Sequence, residues 1–282
     1  MKIRVETPVE YPQVLKEFGV QTVSREWAKY LIPSPYYNVP LNKFPRLEII
    51  ATPSTGTNHI DLNECQKRNI KVLSLLDDRD ALSEIRASSE FAFWMVMSGL
   101  RTCGWRQWRT YQRDYEHMLG RELYGKHVGI LGFGRIGRNV AKWLSAFDAT
   151  WQSYDYGSSP ETLQEIFENC DVILISMTLN PKSEGLITKD LLSRTKPDAI
   201  LVNVSRAEII VEQDLYEWAA QKGRYVTDVM HHEVSGGHLN SPLLSNPNCI
   251  VYPHLAGHTL ESNEKALRIA LRLLEREITK KK

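Results

Sequence analysis

Long hydrophobic runs are missing from this chain. The longest apolar stretch, Phe91–Met97, is far too short to cross a bilayer, and the opening MKIRVETPVEYP has neither the apolar core nor the cleavage signal of a secretory leader. An excess of one charge is missing too. The 35 Lys+Arg against 34 Asp+Glu give a net charge of +1, which leaves no electrostatic footprint for nucleic acid or an anionic membrane. Cysteine is scarce and scattered: Cys65, Cys103, Cys170 and Cys249 form no CxxC or CxxH pair. Neither a zinc site nor a disulfide framework is expected, and lone thiols suit a reducing compartment. No repeat or low-complexity linker interrupts the chain. The expectation is a cytoplasmic protein with no nucleic-acid, membrane or metal partner.

What is present fits an ordinary globular protein. Hydrophobic residues make up 42% and charged residues 24% of 282 residues, enough chain for about two domains with sizeable cores. Short strand-like runs alternate with helical patterns, the sign of parallel α/β sheets. The first series of strands is expected at Lys2–Thr7, Lys29–Pro33, Leu47–Pro53 and Ile70–Leu75, with Asp61 capping a helix after the third. A helix that is apolar almost all round, Ser83–Arg101, reads as buried between two units. The stretch Thr102–Tyr124, with Trp105, Trp108, Tyr111 and Tyr115, reads either as a packed surface loop or as a subunit-interface arm. A second series follows at His127–Phe133, Thr150–Asp155, Asp171–Met177, Ala199–Ser205, Arg224–Met230 and Cys249–Pro253. Six strands with helical crossovers such as Ile136–Phe147 and Val211–Lys222 suit a doubly wound dinucleotide fold, and Leu260–Thr279 reads as a last amphipathic helix.

The strongest motif is Gly132-Phe-Gly134-Arg135-Ile136-Gly137. It closes an apolar strand and opens an amphipathic helix, the context a phosphate-binding turn requires. Gly132 suits the tight turn, Gly134 the approach of a pyrophosphate to the backbone, and Gly137 close helix–strand packing. The next strand ends at Asp155, 18 residues beyond Gly137. A carboxylate there accepts hydrogen bonds from ribose hydroxyls and repels a 2′-phosphate, and Tyr156–Ser159 contains no cation to offset it, so NAD is favoured over NADP.

Ligands of open α/β sheets bind beyond the carboxyl ends of the strands. Arg206, Glu233 and His254 lie just past three such ends. Hydride chemistry on a 2-oxo acid needs these types: a cation for the carboxylate and carbonyl, a proton donor, and a carboxylate that keeps the donor charged. Each has a plainer reading, as a surface ion-pair partner, a solvated loop acid and a capped loop histidine. His231 and His232 read as loop residues near the site, and Asp228 and His258 as secondary candidates.

Several segments together resemble the NAD-dependent D-2-hydroxyacid dehydrogenases, which include phosphoglycerate, glycerate and D-lactate dehydrogenases. They are Ser54–Asp61, Ala87–Glu90, Glu122–Gly137, Asn203–Arg206, Asp228-Val229 with Glu233, and Pro253–Gly257. The resemblance implies two Rossmann-like domains. The smaller, flavodoxin-like substrate domain would comprise residues 1–100 plus 259–282, and the NAD domain residues 101–258. It implies that Arg206 binds the carboxylate and C2 oxygen, that His254 is the acid/base and that Glu233 orients it. Backbone groups at Thr55, Gly56 and Thr57 would bind the substrate carboxylate. Arg135, Ile136 and Ser205 would line the cofactor with the glycines, and Asp228 would meet the nicotinamide. It also implies a homodimer through the NAD domain and the 102–124 arm.

Three departures stand out: an N-terminal unit about 30 residues shorter than the usual domain size, Ala207 where Gly is usual, and Glu233-Val234 where Glu-Pro is usual. A non-enzymatic NAD-sensing interaction protein on the same scaffold is the alternative function. A formate dehydrogenase relative would carry Gln in place of Glu233. A short-chain dehydrogenase would need a Tyr-xxx-Lys pair, which is lacking.

Overall fold

The computed structural model describes residues 1–101, 119–221, 223–233 and 237–280. The chain forms two compact units, Met1–Arg86 with His258–Lys282, and Ala87–Gly257. The first begins with β1 (Lys2–Val5), α1 (Pro12–Glu17), β2 (Gln21–Thr22), β3 (Tyr30–Ile32), β4 (Ile49–Ala51), α2 (Leu62–Lys67), β5 (Lys71–Leu73) and α3 (Arg79–Ser83). The second holds α4 (Ala87–Arg101), β6 (His127–Leu131), α5 (Arg135–Ala146), β7 (Thr150–Tyr154), α6 (Pro160–Asn169), β8 (Val172–Ile175) and α7 (Lys189–Ser193). It continues through β9 (Ile200–Asn203), α8 (Glu212–Gln221), β10 (Arg224–Thr227) and β11 (Cys249–Val251), and the chain then returns to the first unit as α9 (Leu260–Lys280).

In the first unit a parallel sheet of order β2-β1-β3-β4-β5 is covered by α9. The helix has a buried stripe, Ala266, Leu267, Ala270, Leu271 and Leu274, at the spacing of one helix face, and it packs with Ile3, Ile32, Ile49 and Ala51. Asp61 caps α2 as its position predicts, its Oδ1 accepting from the Glu64 N–H at 2.9 Å. The pair β2 is too short, polar and exposed to show in the hydrophobic pattern.

The second unit is a six-stranded parallel sheet of order β11-β10-β9-β8-β6-β7. Strands β8 and β9 are buried along their whole length, as a sheet covered on both faces requires. The direction of winding reverses between β6 and β8, which places a crevice at their carboxyl ends.

Two expectations change here. The long helix begins at Ala87, and residues 84–86 separate it from α3. It also belongs to the second unit, so the division falls at Arg86 and not near residue 100. Ala92, Met95, Val96 and Leu100 pack against Val128, Ile200, Val202 and Val226 of the second sheet, and this apolar fit decides where the helix goes. Most of the aromatic stretch Thr102–Tyr124, residues 102–118, lies outside the described residues.

Candidate active site

The turn after β6 is built by steric necessity. Gly132 has φ +93°, and a Cβ there would sit 2.4 Å from the Met177 Cα just beyond β8. A Cβ on Gly137 would lie 2.3 Å from the Gly132 carbonyl oxygen. Gly134, which caps α5, is different: a Cβ there meets nothing within 4 Å. Two glycines are therefore crowded by the protein itself, while the one before the helix N-terminus fronts open space. That is the arrangement a pyrophosphate needs, with unpaired helix N–H groups facing it. Arg135 opens the helix, and burial pulls its pKa down. Ile136 packs into the core behind.

Asp155 follows β7 and leans onto this turn. Its Oδ2 accepts from the Phe133 N–H at 2.9 Å and its Oδ1 from the Tyr156 N–H at 2.8 Å. Each oxygen keeps lone-pair capacity for a ribose hydroxyl. One feature escaped the local sequence window. Lys182 brings a cation beside Tyr156, its Nζ donating to the phenol oxygen at 3.0 Å.

Past β9, the Asn203 side chain shapes the next turn. Its Oδ1 accepts from the Ser205 N–H at 2.9 Å, and its Nδ2 donates to the Arg206 carbonyl at 3.0 Å. The Ser205 hydroxyl donates to the Met177 carbonyl, tying this turn to the one after β8. Arg206 Nη1 donates to the Ser205 carbonyl at 2.6 Å. Burial lowers the Arg206 pKa, against the opposing charges of Glu233 and Glu208.

Past β10 and β11, two turns are fastened to each other. Glu233 Oε1 accepts from the Met230 N–H at 2.6 Å, and Oε2 meets His254 Nδ1 at 2.8 Å. His254 itself has a left-handed backbone, φ 56°. Asp228 is fully buried. Its two oxygens accept from the Leu255 and Ala256 N–H groups at 2.6 and 2.7 Å. Burial pushes its pKa up to about 6, against these two donors and nearby His254. The structure thus shows Asp228 bracing the His254 turn, a job the sequence did not suggest.

The secondary candidates separate. His231 is partly buried and meets the Ile210 carbonyl through Nε2 at 3.1 Å, while exposed His232 meets Glu212 at 3.2 Å. No cluster able to hold a metal exists among the described residues. His258 lies in the first unit, where its Nδ1 accepts from the Asn263 side-chain amide at 3.1 Å and from Tyr36 Oη at 2.9 Å.

The first unit has its own candidate loop after β4. Buried Thr52 links the Ser54 hydroxyl at 2.9 Å to His59 Nε2 at 3.0 Å, and Ser54 Oγ donates to the Gly56 carbonyl at 2.6 Å. The backbone N–H groups of Thr55, Gly56 and Thr57 pair with no described residue.

Along the second sheet the order of these groups follows the strands: Asp155, the glycine turn, Met177, Arg206, Glu233, then His254. Neighbouring strands lie roughly 4.8 Å apart, so β7 and β11 are separated by about 24 Å. Such a span suits a dinucleotide laid across the strand ends, with its adenosine near Asp155.

The comparisons agree. Residues 93–256 match the family described as D-isomer specific 2-hydroxyacid dehydrogenase, NAD binding domain. Residues 38–78 match the catalytic domain of the same enzymes. The chain is 27% identical to a hydroxypyruvate reductase of Blautia hydrogenotrophica over 87% of its length and 80% of the relative's. It is 30% identical to a 2-ketogluconate reductase of Gluconobacter oxydans, over 79% and 73%. Among solved structures it resembles an NAD-dependent formate dehydrogenase from Staphylococcus aureus in complex with NAD, with a TM-score of 0.82 and 25% identity over 99% of this chain and 96% of that one. These matches name oxidoreductases and lend nothing to a non-enzymatic sensor. The chain belongs to the D-isomer specific 2-hydroxyacid dehydrogenases, and it is an NAD-dependent oxidoreductase acting on the CH–OH group of 2-hydroxy acids.

Proposed function

We propose that Arg206, His254 and Glu233 carry the interconversion of a 2-oxo acid and its D-2-hydroxy acid. Bound NAD(H) supplies or takes up the hydride at C2. The Arg206 guanidinium binds the carboxylate and the C2 oxygen, and its planar fork matches both acceptors at once. His254 has one ring nitrogen engaged by Glu233, which leaves Nε2 to give a proton to the C2 oxygen during reduction and to take it back during oxidation. Glu233 fixes the ring's orientation and sets a carboxylate against its Nδ1. In the first unit, the N–H groups of Thr55, Gly56 and Thr57 offer donors for a substrate carboxylate. Gly132, Gly134, Arg135, Ile136 and Gly137 receive the pyrophosphate, Asp155 the ribose hydroxyls, and Ser205 and Asp228 the nicotinamide end.

The observation that carries this reading is the 2.8 Å contact between His254 and Glu233 at the strand ends of the sheet that bears the glycine turn. A panel of 2-oxo acids that includes hydroxypyruvate, glyoxylate and 2-ketogluconate tests it, with NADH consumption as the readout. At least one acid is expected to be reduced to the D-alcohol, and undiminished turnover by His254→Ala would overturn the assignment.

The same reading makes the enzyme a homodimer through its NAD unit and the 102–124 arm. Exposed Trp94, Phe147 and Trp151 on that unit support it. It also places the enzyme in the cytoplasm, which the free thiols of Cys65, Cys170 and Cys249 favour. Light scattering of the purified protein checks the dimer.

A further inference from the structure

The turn that carries Glu233 is anchored from outside the site. Its two preceding residues are both histidines, and both face one carboxylate, that of Glu212 in the first turn of α8. His232 Nε2 lies 3.2 Å from Glu212 Oε2, and His231 Nδ1 lies 3.9 Å from Oε1. Tyr216, one helical turn on, donates its hydroxyl to Oε1 and also meets Ser241 at 3.3 Å. His231 is partly buried, with its other nitrogen on the Ile210 carbonyl. His232 adopts a left-handed backbone, φ 61°, an uncommon conformation for a residue other than glycine. Burial works against the Glu212 charge, but the Tyr216 hydroxyl and the two imidazoles outweigh it and hold its pKa below the usual range.

We infer that Glu212 is a positioning residue for the acid/base pair: it clamps His231 and His232, and so fixes the turn from which Glu233 reaches His254. The inference rests on the roles proposed above for Glu233 and His254. Its physical content is that Glu233 has two fixed contacts, the Met230 N–H and His254. Both depend on the path of the backbone through residues 231 and 232. Inside the turn the bond from the Met230 N–H to Glu233 spans His232. The Glu212 carboxylate adds a second restraint from another element, 20 residues away in sequence. The charged groups around the pair are few. Glu233 faces Arg206 as well as His254, and Asp228 holds the turn that follows His254.

The test compares Glu212→Ala, Glu212→Gln, His232→Gly and Glu233→Gln with wild type. Two readouts are needed: the pH profile of kcat/KM for reduction, and NMR titration of the His254 imidazole in the cofactor-free protein, with NADH affinity measured alongside. Glu212→Ala is expected to move both the alkaline fall of kcat/KM and the His254 titration to lower pH, in the direction of Glu233→Gln but by less. NADH affinity should stay within about twofold. Glu212→Gln, whose one amide oxygen can replace only one of the two carboxylate oxygens that meet His232 and Tyr216, should recover part of the shift. His232→Gly tolerates the left-handed backbone and loses only the clamp, so it should shift in the same direction even if Glu212→Ala folds poorly. An unmoved His254 titration in both Glu212→Ala and His232→Gly would overturn the inference. An unmoved alkaline limb in Glu233→Gln would instead overturn the roles on which it rests, and the NMR titration would still decide whether Glu212 positions the turn.

Discussion

The glycine turn at Gly132–Gly137 and the paired turns at Met230–Glu233 and His254–Ala256 occupy the same end of one sheet, yet they are built in opposite ways. The first is held by exclusion: Gly132 and Gly137 sit where a side chain would strike backbone atoms. The second is held by attraction, through two carboxylates that bind backbone N–H groups and an imidazole. A turn shaped by sterics keeps its form at any pH. A turn shaped by charge responds to every proton that comes or goes. Anchoring a cofactor needs the former, and moving a proton needs the latter.

Single substitutions can break either half. The largest effect is expected from His254→Ala, which removes the proposed proton donor. The rate of reduction should fall roughly 10²–10⁴-fold, while NADH affinity, measured by fluorescence titration, stays near wild type. Arg206→Lys replaces a fork by a point charge and should cost about 2–5 kcal/mol in kcat/KM, again with the cofactor turn undisturbed.

Asp228 gives the comparison a pH axis. Its pKa rises on folding from the ordinary 3.8 to about 6, so the folded protein binds the proton more tightly than the unfolded chain. The stability this contributes is fully present below about pH 4 and is lost as pH rises through about 6. Relative to Asp228→Asn, wild type should therefore lose up to about 3 kcal/mol between pH 4 and pH 7. Denaturant titrations of both proteins at the two pH values check this, and a constant difference would mean that Asp228 ionises normally.

Gly137→Ala attacks the other half. Its Cβ would meet the Gly132 carbonyl oxygen, and the overpacking should cost about 1–3 kcal/mol of stability. NADH binding should weaken, with the pH profile of the remaining activity unmoved. Smallest is Asp155→Ala, which should narrow the preference for NADH over NADPH by about tenfold, roughly 1.4 kcal/mol. Lys182 beside Tyr156 gives a 2′-phosphate a cation once the carboxylate is gone.

The same contrast explains what could be read from the sequence. The glycine turn, Asp155 and the strands of the second sheet were legible because each is a pattern within a few consecutive residues. Arg206, Glu233 and His254 were legible as residue types beyond strand ends, and the structure brings Glu233 and His254 together. The bracing by Asp228, the shaping of the Arg206 turn by Asn203 and the anchoring by Glu212 were not legible. The Asp228 and Glu212 contacts join residues 20 to 28 apart with no periodicity to mark them. For Asn203 alone a signal existed. An Asn that ends an apolar strand ahead of Ser-Arg is a known way to start a side-chain-supported turn. The long helix was misassigned to the first unit because an all-round apolar helix does not reveal which sheet it covers.

The turn that carries His254 follows β11, a strand of three residues that pairs with β10 alone at the outer edge of its sheet. Edge elements with few backbone bonds open at a lower free energy than the core, without global unfolding. The glycine turn grows instead from β6, which is flanked by β7 and β8. Under mild denaturant the protein should therefore pass through a range in which β11 exchanges its amide protons readily while β6 stays protected. A dehydrogenase in that state would still hold its cofactor and would have stopped turning over.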